Sequence, residues 1–344
     1  MGRQHFLTLD ALRGVAALAV LVFHRRWTIP GGPYTHLEHA NLAVDLFFLL
    51  SGFVIAFAYE DKLQRGLGFW AFNRIRAIRL YPLLILSGVV SLISALVAGL
   101  SGEVASSALL TGLGLPAPSG LVSEPFYLNG PVWSLFFEII ANLIYALTVR
   151  RLTDRWLVAA VVGLGAAWVY MLATQGLSVG FAFEGFWWGM VRALFPFSVG
   201  IGLYRLHKRG IGRWVRLGFW PLAGVVLLSF APPSFVGSTV YAALCIAGIY
   251  PLVIMAGANS EPSGRIAGIA ALLGALSYPV YILHYPLYRI ADVAFASLGA
   301  HKLFMVPVAG GLICVIAVLA HHLYDVPVRR FLTDAAKRPV VARA

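Results

Sequence analysis

Long uninterrupted apolar stretches are the feature of this sequence that most restricts its fold. Ten segments each have about 20 residues, the length that an α-helix needs to cross the hydrocarbon core of a bilayer. They are residues 7–25, 40–60, 80–100, 131–150, 156–175, 186–206, 214–231, 235–257, 267–290 and 303–324. A transmembrane β-barrel would instead alternate apolar and polar residues. The sequence therefore predicts an all-α polytopic membrane protein with about ten transmembrane helices.

The composition excludes most soluble classes. Charged residues make up 12% of the chain and apolar residues 60%, whereas an ordinary soluble domain has about 25% charged residues. Such a chain has too little charge to cover a water-exposed surface, so much of its surface must face the lipid bilayer. The formal net charge of +12 would suggest nucleic acid in a soluble protein. Here it fits basic loops on the inner side of a membrane, and no nucleic-acid partner is expected.

The distribution of basic residues predicts the topology. With ten spans and the N-terminus inside, 20 of the 26 Lys and Arg residues lie on the cytoplasmic side and only Arg25, Arg26 and Lys302 lie outside. The positive-inside rule then places both termini in the cytoplasm. The apolar stretch Ala105–Leu115 is too short to cross and is predicted to be re-entrant or interfacial.

The domain organisation is predicted to be simple. No linker, low-complexity run or internal repeat stands out, so we expect one membrane domain over residues 1–344. Residues 329–344 form a short cytoplasmic tail in this interpretation, and no fused extracytoplasmic domain is expected.

Ionisable residues inside a span are costly and are candidates for function. Arg13 and His24 lie 11 residues apart, about 20° past three helical turns, so they share one helix face with about 16 Å of rise between them. Asp10 lies three residues before Arg13 and is expected to pair with its guanidinium. The alternative is that Arg13 reaches inward to the interface and His24 lies at the outer interface.

Four ionisable groups on four different spans are predicted to lie at a similar depth. They are His24, Asp45, Glu138 and His284. Two imidazoles and two carboxylates at one level would form a polar site that takes and returns protons. Interfacial placement by chance stays open as the alternative.

Three arginines alternate with apolar residues in the first predicted inner loop. Arg74, Arg76 and Arg79 precede the third span. They are either an interfacial anchor or a guanidinium cluster for the phosphates of a cytoplasmic ligand, because forked guanidinium donors suit phosphate oxygens.

Five stretches, taken in order, resemble the acyltransferase-3 family of integral membrane O-acyltransferases. They are 9–24, 44–53, 72–82, 133–138 and 277–286. The first carries the Arg, ten residues, His signature of the family as Arg13 and His24. The occurrence of all five stretches in this order is specific to the family.

The resemblance implies a donor, an acceptor and a location. The donor is acyl-coenzyme A, usually acetyl-CoA, bound from the cytoplasm as a co-substrate, with no tightly bound cofactor and no metal. The acceptor is a hydroxyl of a surface or lipid-linked glycan, and the protein lies in the bacterial cytoplasmic (inner) membrane. The family often ends with Glu-x-Pro, whereas this chain has Asp325-Val326-Pro327, so no role is assigned to Asp325.

The resemblance also implies that His24 is the essential residue and Arg13 its partner. From the chemistry of acyl transfer we expect His24 to act as general base or as transient acyl carrier, with Glu138 or Asp45 orienting its imidazole. Arg74, Arg76 and Arg79 would hold the donor phosphates. Supporting or acceptor-side residues are Asp10, Asp45, Ser51, Trp133, Ser134, Tyr281 and His284.

Two other classes stay open on the residues alone. Buried Asp, Glu and His residues could form the proton relay of a secondary transporter, although no internal repeat or paired broken helices are evident. A structural subunit of an envelope complex is the second alternative. Stabilisation by acetyl-CoA would separate the acyltransferase from both.

Overall fold

The chain folds into helices that match the apolar stretches. The computed structural model describes residues 6–25, 37–231, 237–297 and 302–337, and all regular structure in these ranges is helical. The elements are α1 (Leu7–Phe23), α2 (Leu42–Gln64), α3 (Phe69–Val97), α4 (Gly102–Leu113), α5 (Val132–Thr148), α6 (Asp154–Gln175), α7 (Trp188–Lys208), α8 (Phe219–Leu228), α9 (Ser238–Leu244), α10 (Tyr250–Ala258), α11 (Gly264–Ser297), α12 (Lys302–Leu319) and α13 (Val326–Lys337), with π-helical turns at Cys245–Ile249 and Ala320–Asp325. Each of the ten predicted segments overlaps a helix.

The lengths and apolar character of these helices confirm a multi-pass membrane protein. Within the described part of the chain, six helical segments are long and apolar enough to cross a membrane: Leu42–Gln64, Phe69–Val97, Asp154–Gln175, Ser238–Ala258, Gly264–Ser297 and Val306–Lys337. Helices α5 and α8 are apolar but shorter. The count of ten spans and the cytoplasmic location of the termini stay predictions.

Close packing of α1 against α11 sets the position of the site. A Cβ atom at Gly14 would lie 2.3 Å from the Leu273 carbonyl oxygen, and one at Gly274 would lie 2.8 Å from Asp10 Cβ. Small residues at such points let helix backbones approach closely within a membrane. Because these contacts fix the register of the two helices, the polar side chains that α1 and α11 carry come together.

Helix α11 contains Pro279 and Pro286. A proline has no N–H to donate to the carbonyl four residues earlier, so Pro286 leaves the Ile282 carbonyl without its usual helical partner. The buried side chain of Asn129 donates to that carbonyl at 2.8 Å. In a membrane protein a freed backbone group must find such a substitute partner, and this one connects the 114–131 segment to the helix that carries His284.

The arginine stretch is helical, which corrects the predicted inner loop. Helix α3 begins at Phe69, eleven residues before the predicted start of the third span, so Arg74, Arg76 and Arg79 lie on its first turns. Arg is a good helix former, and no Gly or Pro interrupts the chain between Gly68 and Pro82. A search for apolar residues finds the point at which a helix becomes apolar. It does not detect the basic turns that precede that point in the same helix.

The short apolar stretch Ala105–Leu115 overlaps α4. Ser101 Oγ caps the start of this helix by accepting from the Val104 N–H, and Gly114 ends it at a φ of 69°. A Cβ atom at Gly88 of α3 would lie 2.6 Å from Gly112 Cα, so the two helices pack at close range. Whether α4 is re-entrant or interfacial stays a prediction.

Candidate active site

A cavity of about 110 Å³ lies between α1, α2, α3, α5 and α11, and we call it the arginine cavity. Its lining combines three guanidinium groups, one carboxylate, several hydroxyl groups and an apolar wall. It is lined by Arg13, Val44, Phe47, Phe48, Ser51, Val54, Ile55, Arg76, Arg79, Leu80, Ser134, Leu135, Glu138, Ser277, Tyr278 and Tyr281. This excess of positive charge favours an anionic ligand with an apolar portion.

Arg13 is held in the arginine cavity by two partners. Its Nη2 donates to Asp10 Oδ1 at 2.9 Å, so the predicted pair one helical turn apart is present. Its Nε donates to Ser277 Oγ of α11 at 3.1 Å. These bonds orient the guanidinium between α1 and α11.

Glu138 accepts two hydrogen bonds in the same cavity. Ser51 Oγ lies 2.8 Å and Arg76 Nη2 lies 3.4 Å from Glu138 Oε1. Arg79, one turn after Arg76 on α3, also lines the cavity, whereas Arg74 is exposed and absent from the lining. Two of the three predicted phosphate-binding arginines therefore share the cavity.

His24 and His284, two of the four groups predicted to lie at a similar depth, form a hydrogen-bonded pair. His24 Nδ1 lies 3.1 Å from His284 Nε2. The fully buried His284 places its Nδ1 at 3.0 Å from the Val280 carbonyl oxygen and 2.9 Å from that of Tyr281. His24 Nδ1 also lies 2.9 Å from the Val20 carbonyl oxygen.

These contacts assign the tautomers of both rings. A carbonyl oxygen only accepts, so His284 Nδ1 carries the hydrogen and His284 Nε2 presents a lone pair. His24 Nδ1 then donates toward Val20 and His284, so that in the neutral ring His24 Nε2 is the nitrogen with the lone pair. A neutral imidazole held in this way has the form that a general base needs.

A second cavity of about 240 Å³ is lined by His24 of this pair, and we call it the histidine cavity. It is lined by His24, Arg25, Tyr285, Tyr288, Arg289 and Asp292. Arg25 donates to both Asp292 carboxylate oxygens, at 2.9 and 3.0 Å, and its guanidinium carbon lies 4.2 Å from the Tyr288 ring centroid. Arg289 donates to the Tyr127 carbonyl at 3.1 Å.

Asp45 lies outside both cavities, which corrects the predicted four-group site. Its carboxylate accepts from Arg192 Nη2 at 2.7 Å and from Arg192 Nε at 3.1 Å, and both side chains are at most 2% exposed. Arg192 also donates to the carbonyls of Asn41 and Leu177. The Trp133 ring, centred 5.2 Å from the Arg192 guanidinium carbon, belongs to this cluster. The Asp45 carboxylate is therefore paired with a guanidinium that lies 147 residues away in the sequence.

Glu138 and His24 line different cavities, so the predicted orientation of His24 by a carboxylate is wrong in this structure. The ring that contacts His24 Nδ1 is the imidazole of His284. Ser134 and Tyr281 join the arginine cavity instead, with their hydroxyl oxygens 2.6 Å apart. The resulting site has two cavities, one lined by Arg13, Arg76, Arg79 and Glu138 and the other by His24.

Several residues that contribute to the site were given no role by the sequence analysis. Ser277 and Tyr278 lie within the stretch 277–286, but their partners are on other helices. Tyr285, Arg289 and Asp292 follow His284 at positions that complete one face of α11. That helical spacing was the available signal, because Arg289 and Asp292 lie about one and two turns after Tyr285.

Asp325 has structural partners. Its buried Oδ2 accepts from Arg329 Nη2 at 2.8 Å and lies 3.4 Å from His321 Nδ1, within the π-helical turn Ala320–Asp325. The carboxylate thus joins that turn to the first part of α13.

Comparison with known proteins gives the family. A family model described as an acyltransferase domain matches residues 6–322. Acyltransferase MdmB of Streptomyces mycarofaciens is 28% identical over 385 aligned positions, covering 97% of this chain and 93% of the relative. Protein 2 in the picA locus of Rhizobium radiobacter is 40% identical over 163 residues, covering 42% of this chain and 82% of the relative. No solved structure matches this chain.

The family model spans nearly the whole described fold and includes both cavities and the histidine pair. The resemblance seen in the five stretches is thereby confirmed. The chain belongs to the acyltransferase-3 family and is a multi-pass membrane acyltransferase.

Proposed function

We propose that this acyltransferase moves an acyl group, normally acetyl, from cytoplasmic acyl-CoA to a hydroxyl of a surface or lipid-linked glycan. The observation that carries the proposal is a basic cavity and a second cavity lined by His24, connected through the ring contacts of Tyr281, His284 and His24. The first suits an anionic donor and the second presents an imidazole to an acceptor. The predicted location is the bacterial cytoplasmic membrane.

The donor is proposed to enter the arginine cavity. Arg76 and Arg79 lie near the start of α3, at the end that the positive-inside rule assigns to the cytoplasm. Their guanidinium groups would hold the nucleotide phosphates. Arg13 would then contact the pantetheine arm or the developing oxyanion, held in place by Asp10 and Ser277.

The chemistry is proposed to centre on His24. Its Nε2 takes the proton from the acceptor hydroxyl while the hydroxyl oxygen attacks the thioester carbonyl carbon. The carbon–sulfur bond then breaks, and the leaving coenzyme A thiolate takes the proton from the His24 imidazolium. His284 keeps the imidazole in the required tautomer and stabilises the imidazolium by its hydrogen bond, the role that an orienting carboxylate has in other triads.

Nothing in the described residues favours the transporter alternative. Asp45, one of the carboxylates that a proton relay would use, is held by two hydrogen bonds from Arg192. The family match favours the acyltransferase over a purely structural subunit.

Substitution of Arg79 tests the donor site. Acetyl-CoA is expected to stabilise the wild-type protein by mass action, with an unfolding temperature that rises with ligand concentration. Loss of one charge-assisted hydrogen bond is worth about 1.5–3 kcal/mol, so Arg79→Gln is expected to weaken acetyl-CoA binding by roughly 10- to 100-fold. Thermal unfolding in detergent across an acetyl-CoA titration measures this shift.

Arg74→Gln is the matched control, because Arg74 has the same charge on the same helix but is exposed and outside the cavity lining. It should bind acetyl-CoA as tightly as the wild type. If Arg79→Gln and Arg74→Gln weaken acetyl-CoA binding equally, these arginines are interfacial anchors and not a phosphate-binding site. No stabilisation of the wild type by acetyl-CoA would contradict the proposed donor.

A further inference from the structure

The arginine cavity and the histidine cavity are separate. Among the described residues, the two linings have no member in common. Arg13 lines one and His24 lines the other, although both lie on the same face of α1. A donor bound in the arginine cavity is therefore kept from the proposed base by whatever lies between them.

Tyr281 lies at this boundary. Its side chain lines the arginine cavity, and its ring centroid lies 6.2 Å from that of His284. The His284 ring is in turn centred 4.9 Å from the His24 ring. The order from one cavity to the other is thus Tyr281, His284 and His24.

Hydrogen bonds and packing hold Tyr281 in this position. Its hydroxyl lies 2.6 Å from Ser134 Oγ, which itself donates to the Pro131 carbonyl at 3.0 Å. The Phe47 ring packs edge-on against the Tyr281 ring at 5.3 Å. The Tyr281 carbonyl accepts from His284 Nδ1 at 2.9 Å, so a residue in the wall of the arginine cavity also orients the histidine pair.

Transfer requires this boundary to open. The hydroxyl oxygen must reach the thioester carbonyl carbon at about 3–3.5 Å, while its proton must lie within hydrogen-bond reach of His24. With Tyr281 in place, the wall that separates the two cavities keeps the thioester from that point. It also shields the thioester from water that enters the histidine cavity.

We propose that Tyr281, latched to Ser134, is the barrier that keeps the donor thioester from water and from His24 until it moves aside. The inference rests on the proposed function. It gives Tyr281 a positioning role and not a catalytic one. Without the barrier, a water oxygen attacks the thioester carbonyl, the carbon–sulfur bond breaks, and acetate and the coenzyme A thiol are released.

Tyr281→Ala tests the barrier through the fate of acetyl-CoA. In the absence of acceptor, hydrolysis is expected to rise about 10-fold, measured as release of free coenzyme A thiol. The ratio of acetyl transfer to hydrolysis is expected to fall by at least as much. Ser134→Ala removes the shorter of two hydrogen bonds of the Tyr281 hydroxyl, which keeps its bond to the Pro131 carbonyl at 3.4 Å, so it should shift the ratio in the same direction by less. Tyr241→Ala, which removes a buried tyrosine of α9 that lines neither cavity, is the matched control.

Cysteine labelling tests the same wall without acyl chemistry. Ser51 lines the arginine cavity, so Ser51→Cys is made in a background with Cys245 and Cys314 replaced by alanine. A small membrane-impermeant methanethiosulfonate applied to the outer face of sealed vesicles should leave this cysteine unlabelled. Addition of Tyr281→Ala should make it react. If that variant does not fold, Tyr281→Val and Ser134→Ala give the same comparison.

The outcomes separate the two proposals. Unchanged labelling in folded Tyr281 variants overturns the barrier, whatever the hydrolysis rate. If Tyr281→Ala raises labelling of the cysteine at position 51 but an active enzyme hydrolyses acetyl-CoA no faster, Tyr281 does not protect the thioester from water. If the wild type neither binds nor uses acetyl-CoA, the proposed function fails, while the labelling result still decides whether Tyr281 separates the cavities.

Discussion

His24→Gln is expected to lower acyl transfer by about 10²- to 10⁴-fold, the contribution typical of a general base. The glutamine amide can still face His284, with which His24 Nδ1 now makes its 3.1 Å contact, but it cannot take a proton from a hydroxyl. The measurement is incorporation of radiolabelled acetyl from acetyl-CoA into the polysaccharide and lipid fractions of membrane vesicles. Acetyl-CoA binding should be retained, because His24 does not line the arginine cavity.

His39→Gln is the matched control for this substitution. His39 lies just before α2, with its ring centred 6.0 Å from the Tyr241 ring, and it lines neither cavity. Its replacement should leave transfer within about twofold of wild type, the scatter of an ordinary surface change. Retention of most activity by His24→Gln would remove His24 from the role of base.

Asp45→Ala is expected to have the largest effect on stability, lowering the free energy of unfolding by about 3–5 kcal/mol. The substitution leaves the Arg192 guanidinium buried without its carboxylate, with 2% of that side chain exposed. Thermal unfolding of the purified protein in detergent, with and without the substitution, measures the loss as a lower unfolding temperature.

An exposed ion pair supplies the comparison. Asp61 pairs with Lys208, and their side chains are 44% and 47% exposed, so Asp61→Ala should cost no more than about 1 kcal/mol. The double variant Asp45→Ala with Arg192→Met should lose less free energy of unfolding than the two single variants lose together. Each single variant leaves one buried charge without its partner, whereas the double variant leaves none. Equal losses for Asp45→Ala and Asp61→Ala would show that the buried pair is not a structural anchor.

The helices could be predicted because their signal is local. An apolar run of about 20 consecutive residues can be recognised from the sequence alone, and each predicted segment overlaps a helix. The pairing of Asp10 with Arg13 is equally local, since it needs only one turn of α1. Helix α3 shows the limit of predicting helices from hydropathy. Its first turns contain arginines, which favour a helix but are not apolar, so the predicted segment begins too late.

The pairing of distant groups could not be predicted in this way. Depth in the membrane suggested that Asp45 and Glu138 would join His24, but depth does not give the direction in which a side chain points around its helix. The packing of α2 against α7 brings Asp45 to Arg192 instead. The close contact of α1 with α11 at Gly14 and Gly274 brings His24 to His284.

The most direct test of the central proposal is the side of the membrane from which the donor is used. In sealed vesicles of known orientation, acetyl-CoA is supplied to one face at a time and labelled acetyl groups are counted in the envelope fractions. The arginine cavity as donor site predicts incorporation only from the cytoplasmic face, with the free coenzyme A thiol released on that side. Equal incorporation from both faces, or incorporation from the outer face alone, would contradict transfer from one cavity to the other.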